Sequence, residues 1–235
     1  MEIDKVSKFI LHRIKNELTN DDKLIYELDK NKFNIILSRS NISLERFYSN
    51  TNFSEKERGS LLFNLLVCSS VPDLILKHIN WKDFELIVSS AFDQSGYSTL
   101  HSYRIKTESK STNEIDIIAF KFPFLFLIDC KYHKKSPPSY YSKAALLQKE
   151  RLDSLIEVFP EIYSDLMTKL GLPIRNKVKL IALVVSWKNV SVKIFNGVPI
   201  VPLFKLPGFL REIDEFEDKI YKFSFSISYS TSAIS

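Results

Sequence analysis

The chain has 235 residues, 45% of them hydrophobic, 26% charged and only 5 of them glycine, a composition that excludes collagen-like, low-complexity and intrinsically disordered classes. Lys and Arg number 33 against 28 Asp and Glu, a formal net charge of +5 with a pI near 9.0, which suits a nucleic-acid partner without requiring one. The longest apolar stretches, such as Val178–Trp187, are far too short to span a bilayer, so no membrane partner is expected.

Ile3, Val6, Ile10 and Ile14 recur at helical spacing and predict an amphipathic helix over residues 3–18, with Lys5, Lys8, His12 and Lys15 outward. Asp21 or Asp22 is placed to cap residues 24–28 and Ser43 to cap residues 44–48, while Ser54 with Glu57 spells a capping box for a helix reaching Cys68. Residues 1–80 are nearly neutral, with 12 Lys and Arg against 11 Asp and Glu. A helical cap or dimerisation surface is therefore favoured over a helix-turn-helix module in which Arg46, Lys56 and Arg58 would face phosphates. Pro72 breaks the pattern. The expected organisation is a helical N-terminal region over residues 1–79 and an α/β domain over residues 80–235.

Residues 81–92 predict a helix burying Trp81, Phe84, Val88 and Phe92, with Glu85 at the edge of that stripe, and Gly96 ends it. Residues 97–106 alternate as a strand, and the polar loop over 107–113 places Lys110 where a nucleic-acid backbone can be touched. Residues 114–120 and 122–130 follow as two more strands, joined by a turn short enough to make them an antiparallel hairpin. Asp116 and Asp129 then sit on neighbouring strands within reach of one metal ion. The side-chain period of two puts Asp129 and Lys131 on one face and Cys130 on the other. The run from Lys131 to Lys143 contains four lysines and no acid.

Past Pro137 and Pro138 the pattern predicts one helix over 141–158, with Leu146, Leu147, Leu152, Leu155 and Ile156 inward, and a second over 160–170. Residues 178–187 read as a central strand, and residues 190–203 as a hairpin turning at Asn196-Gly197. An acidic helix is expected over 209–220. The alternating tail from Phe223 to Tyr229 reads as an edge strand or a dimer contact. Cys68 and Cys130 both lie in apolar runs, where free thiols behave as small hydrophobes, and no secretory leader is visible, so a reducing, cytoplasmic setting is expected.

An acid at Asp116, a second at Asp129, then Cys130 and Lys131 resembles the motif of the PD-(D/E)XK nuclease superfamily. The wording EIDIIAF followed by LIDCKYHKK is most similar to the archaeal Holliday-junction resolvase and Mrr-type restriction-endonuclease branches. Those branches also carry a glutamate on the first helix, a place that Glu85 fits. Asp129 stands where the third motif usually has Glu, and Ile115-Asp116 stands for the Pro-Asp of the name. The resemblance covers roughly residues 81–210. It implies a restriction-endonuclease-like core, a mixed β-sheet flanked by helices, and a metal-dependent endonuclease acting on duplex or branched DNA.

On that reading Glu85, Asp116, Asp129 and Lys131 are the expected catalytic residues. Asp116, Asp129, the main-chain carbonyl of Cys130 and Glu85 supply hard oxygen ligands for Mg²⁺ or Mn²⁺. Lys131 would orient a metal-bound water and stabilise developing charge. Lys110, His133, Lys134, Lys135, Lys143 and Gln148 are the expected nucleic-acid contacts. His101 and His133 are weaker candidates for a general base. A homodimer is expected, since one active site cuts one strand. The alternatives are a catalytically silent, nuclease-fold DNA-binding protein and an RNA-processing nuclease.

Overall fold

The computed structural model describes residues 2–15, 29–49, 51–106, 112–132, 137–187 and 193–227. They form two compact units, the first reaching Ser90 and the second starting at Ala91, so the division falls inside a helix.

The first unit holds α1 (Lys5–Ile14), α2 (Lys30–Arg39), α3 (Leu44–Tyr48), α4 (Glu55–Val67), α5 (Pro72–Leu76) and most of α6 (Trp81–Gln94). Polar caps fix the starts: Asp4, Asp29 and Ser43 each accept a hydrogen bond from the backbone N–H three residues on, and Ser54 with Glu57 completes both halves of the capping box. The stripe Val6, Ile10 and Ile14 is buried as its spacing requires, and Phe9, Phe33 and Phe47 meet with ring centroids 5.1 to 5.9 Å apart. The turn after α3 is held by Arg13, which donates to Phe47 O at 2.8 Å, Ser49 O at 2.6 Å and Thr51 O at 3.0 Å.

Arg46 donates to both Glu57 oxygens at 2.6 and 2.7 Å, and Arg58 to Asp83 at 2.6 Å. Two of the three cations that a helix-turn-helix would aim at phosphates are thus held by carboxylates of their own unit, while Lys56 is exposed. Trp81, expected inward, is 57% exposed, while Phe84, Val88 and Phe92 are buried as expected, joined by Ile87. The caps expected at Asp21 or Asp22 lie outside the described residues.

The second unit is α/β, built on a mixed seven-stranded sheet in the order β1-β2-β3-β4-β6-β5, with β7 also on β4. Its strands are β1 (Ser98–Lys106), β2 (Thr112–Lys121), β3 (Phe124–Lys131), β4 (Lys177–Ser186), β5 (Lys193–Phe195), β6 (Val198–Pro202) and β7 (Lys222–Ser226). β1, β2 and β3 form an antiparallel meander, and all of β3 runs parallel with Lys179–Ser186 of β4. The other edge of β4 is divided, Val184–Ser186 pairing parallel with β6 and Lys177–Ile181 antiparallel with β7. The tail read as an edge strand or dimer contact supplies β7, which pairs with β4 and with no other described strand, as an edge strand does; Tyr229 lies outside the described residues.

Between β3 and β4 runs α7 (Pro138–Lys169), one 32-residue helix with Pro160 inside it, where two helices were expected. Proline lacks an N–H and costs a helix interior about 3 kcal/mol. The helix continues because Leu152, Leu155, Phe159, Tyr163, Leu166 and Met167 pack on Ile118, Leu125, Leu127, Leu180 and Val184, all 2% exposed or less. Pro160 itself is exposed. On the other sheet face Phe92, from the end of α6, meets Tyr97 and Phe126 at centroid distances of 5.3 and 5.8 Å. The helix expected over 209–220 is broken into α8 (Leu206–Arg211), α9 (Ile213–Phe216) and a 3-10 turn.

Hydrogen bonds from Arg46 hold the Glu57 carboxyl down at about 2, against burial, which pushes it up. A carboxyl depressed on folding adds stability above its unfolded range, and that stability is lost as pH falls through about 2. Glu57→Gln should therefore flatten the loss of stability between about pH 4.5 and pH 2, measured by urea unfolding across that range.

Gly197 turns the β5–β6 hairpin at φ +78, and a Cβ there would lie 2.6 Å from Tyr221 Cβ and 2.8 Å from Tyr221 N. Gly171, at φ +67 after α7, has nothing within 4 Å. Gly171→Ala should cost about 1 kcal/mol for its left-handed backbone alone and Gly197→Ala on the order of 3 kcal/mol, since Tyr221 must also move. Equal destabilisation of the two variants in denaturant unfolding would show that the contact with Tyr221 carries no weight.

Candidate active site

Strand alternation decides which side chains face α7. Leu125 and Leu127 belong to the core under that helix, and Asp129 continues their parity on β3. On β2, Ile118 and Phe120 belong to the same core, and Asp116 continues theirs. The β2–β3 ladder pairs Ile118 with Leu127 and Ile117 with Ile128, so one further step of the same register sets Asp116 opposite Asp129. The strands part there, and the Cys130 backbone N–H donates instead to Asp116 Oδ2 at 2.7 Å.

Asp129 is 2% exposed and lies between two cations. Lys131 Nζ donates to Oδ1 at 2.8 Å and stands 2.7 Å from Oδ2, a charge contact without hydrogen-bond alignment, so Oδ2 receives no aligned donor among the described residues. Arg151 Nη1 donates to Oδ1 at 2.8 Å and to Gln148 Oε1 at 3.0 Å. Gln148 is fully buried, and its Nε2 has no acceptor among the described residues. The site lies where the parallel strands end: Asp129 pairs with Val184 and Lys131 with Ser186, and Trp187 N donates to Lys131 O at 3.2 Å. In open α/β sheets the carboxyl ends of parallel strands are where ligands bind.

Burial pushes the Asp116 carboxyl above its ordinary range, and the charge of Asp129 pushes the same way. The hydrogen bond from Cys130 N–H and the charges of Lys131 and Arg151 pull it back. Burial also raises the Tyr140 hydroxyl, which feels Lys131 and Asp129 from the first turn of α7. Two carboxylates and two cations thus share one electrostatic neighbourhood.

Of the residues singled out from sequence, Asp116, Asp129, Cys130, Lys131 and Gln148 belong to this constellation. Lys143 is exposed on α7. Glu85 is half-buried on α6 and belongs to the first unit. Lys110, His133, Lys134 and Lys135 lie outside the described residues. Arg151 and Tyr140 were not singled out. A signal for Arg151 was present, since positions 148, 151, 152 and 155 form one helical stripe whose first two members are polar. The expected inward pair Leu146 and Leu147 is 40% and 45% exposed, because the stripe through Ala145, Gln148 and Leu152 takes the sheet.

Among the described residues no group of three or more His, Cys, Asp and Glu is arranged to hold a metal ion. The donor chemistry at Asp116 and Asp129 nevertheless suits Mg²⁺ or Mn²⁺, which bind through one or two carboxylates and keep waters and substrate oxygens in their other positions. An ion bound there has to exchange with the cations now on Asp129. In the first unit a cavity of about 320 Å³ is lined by Arg58, Lys82, Glu55 and Asp83 among others, and Arg58 is already engaged by Asp83 and Ile14 O.

No family model matches the chain, and a search of curated proteins returns no match. Among the described residues no helix is long and apolar enough to cross a membrane.

The raised Asp116 carboxyl sets a testable sign. An acid whose folded value lies above its unfolded value stabilises the fold most when protonated, and that contribution is lost as pH rises through the folded value. Asp116→Asn should accordingly raise the denaturant midpoint at neutral pH. It should also remove part of the decline seen as pH climbs out of the acid range. A midpoint unchanged at both ends would mean that the carboxyl is not strained by burial.

Proposed function

We propose that the second unit is a metal-dependent phosphodiesterase acting on DNA, with a restriction-endonuclease-like core. The observation that carries this reading is the meeting of Asp116, in the middle of β2 where its pairing with β3 stops, and Asp129, near the end of β3, with Lys131 on Asp129 and Cys130 N–H on Asp116. Asp116 and Asp129 would hold Mg²⁺ or Mn²⁺, with the Cys130 carbonyl as a third oxygen. When bound, the ion polarises the scissile phosphate and lowers the pKa of a bound water. Lys131 neutralises charge that develops on the phosphoryl oxygens and keeps the attacking water oriented. The buried walls around Asp129 exclude bulk water and strengthen both effects.

The second reading, a core that binds DNA without cutting it, has one observation in its favour. Asp129 is already neutralised by two cations, so the site is electrically balanced with no ion at all.

Cleavage of labelled single-stranded, duplex and branched DNA and RNA, with and without Mg²⁺ or Mn²⁺, separates these readings. Asp116→Asn, Asp129→Asn and Lys131→Ala should each lower metal-dependent cleavage on the order of 10²-fold or more. Cys130→Ser should keep it, since only main-chain atoms of Cys130 take part. Undiminished cleavage by the aspartate variants would remove the site assignment, and the absence of any metal-dependent cleavage by wild type would favour the binding reading. For the DNA backbone, neutralising Lys134, Lys135 and Lys143 together should flatten the salt dependence of duplex binding by roughly 0.9 in slope for each phosphate that is no longer neutralised.

A further inference from the structure

Arg151 is part of the site, yet none of the chemistry above uses it. Its Nη1 bridges Asp129 Oδ1 at 2.8 Å and Gln148 Oε1 at 3.0 Å, and its Nε and Nη2 hydrogen bond no described residue. The side chain is 28% exposed while that of Asp129 is 3% exposed, so Arg151 is the more accessible partner of the pair. A planar cation with N–H groups still uncommitted can offer a parallel pair of donors to the two non-bridging oxygens of a phosphodiester.

The charges give this cation a timetable. Without an ion, Lys131 and Arg151 balance Asp116 and Asp129. A divalent cation held by the two carboxylates would take over the task of Arg151 at Asp129. The site would then carry a surplus of about two positive charges behind low-dielectric walls. Such a surplus would repel the ion and attract phosphate. The buried Gln148, which accepts from Arg151 through Oε1, is a partner of the guanidinium that does not depend on Asp129.

We propose that Arg151 is a phosphodiester-binding residue which Asp129 restrains until a divalent ion displaces it, so that the ion and the DNA backbone bind cooperatively. The assignment rests on the nuclease reading and adds to it an ordered coupling between cofactor and substrate. By linkage, whatever Mn²⁺ adds to DNA affinity, DNA adds equally to Mn²⁺ affinity.

The test uses the full chain, with Mn²⁺ binding followed by electron paramagnetic resonance of the free ion. DNA binding is followed by the initial anisotropy of a short fluorescein-labelled duplex, with and without Mn²⁺. Arg151→Gln keeps hydrogen-bonding capacity and removes the charge. It should bind Mn²⁺ on the order of 5-fold tighter than wild type in the absence of DNA, the low end of ordinary coupling between sites. It should also lose the gain in DNA affinity that Mn²⁺ gives wild type. Arg151→Lys, with the charge but no fork, should bind Mn²⁺ like wild type and DNA more weakly. Wild-type Mn²⁺ affinity in a folded Arg151→Gln protein overturns the restraint, and wild-type DNA affinity in Arg151→Lys overturns the phosphate contact. If Arg151→Gln does not fold, the Arg151→Lys result decides. Cleavage and Mn²⁺ binding by wild type with no change in either variant remove only the role of Arg151. A wild-type protein that binds no Mn²⁺ removes the nuclease reading and this proposal together.

Discussion

A carboxylate taken out of water at the end of an apolar strand has to be neutralised where it stands, and the second unit is arranged around that requirement at Asp129. The strand cannot supply both counter-charges. Lys131, two residues on, reaches back along the same face, and the remaining cation comes from α7, which crosses over the sheet before β4 begins. Removing either cation would leave Asp116 and Asp129 sharing a single counter-charge, a shortfall that costs more in a buried site than at the surface. The position of α7 over β3 is thus fixed by hydrocarbon along most of its length and by an ion pair near the end where the strand runs out.

β4 carries the rest of the architecture. It is the only strand among those described with one partner on one side and two different partners on the other. That division lets a parallel strand and an antiparallel one abut on a single edge. Tyr221 N donates to Gly197 O at 2.8 Å and links the approach to β7 with the β5–β6 turn, so the two partners are fastened to each other as well as to β4. The exposed backbone of a central strand, which invites pairing with other chains, is covered in this way by the chain itself.

Much of this was readable from residue order. An apolar run ending on Asp129 declared a buried strand and, through alternation, placed Lys131 beside the acid. Ser54 with Glu57 and Asn196-Gly197 declared a helix start and a hairpin through local hydrogen bonding and backbone freedom alone. What escaped is what depends on distant partners. Pro160 reads locally as a break, and only burial against side chains of β2, β3 and β4 overrides it. Leu146 and Leu147 read as core by hydropathy, yet the sheet takes Gln148, because a polar group is needed where Asp129 sits. Arg151 meets its carboxylate across 22 positions of sequence; its place on the stripe through Gln148 and Leu152 set it facing the sheet, but nothing local named Asp129 as its partner.

Pro160 has a mechanical meaning as well. With no N–H, it cannot close the backbone hydrogen bond to Ile156, so the ladder of α7 lacks one rung. Ahead of that gap Ala145, Leu152, Leu155 and Phe159 are buried in the core, and behind it Tyr163, Leu166 and Met167, with Tyr163 Oη also tied to the backbone of Arg175. Side-chain packing on both sides thus splints the weak rung, and the end that bears Gln148 and Arg151 is carried by the same hydrocarbon seam as the rest of the helix.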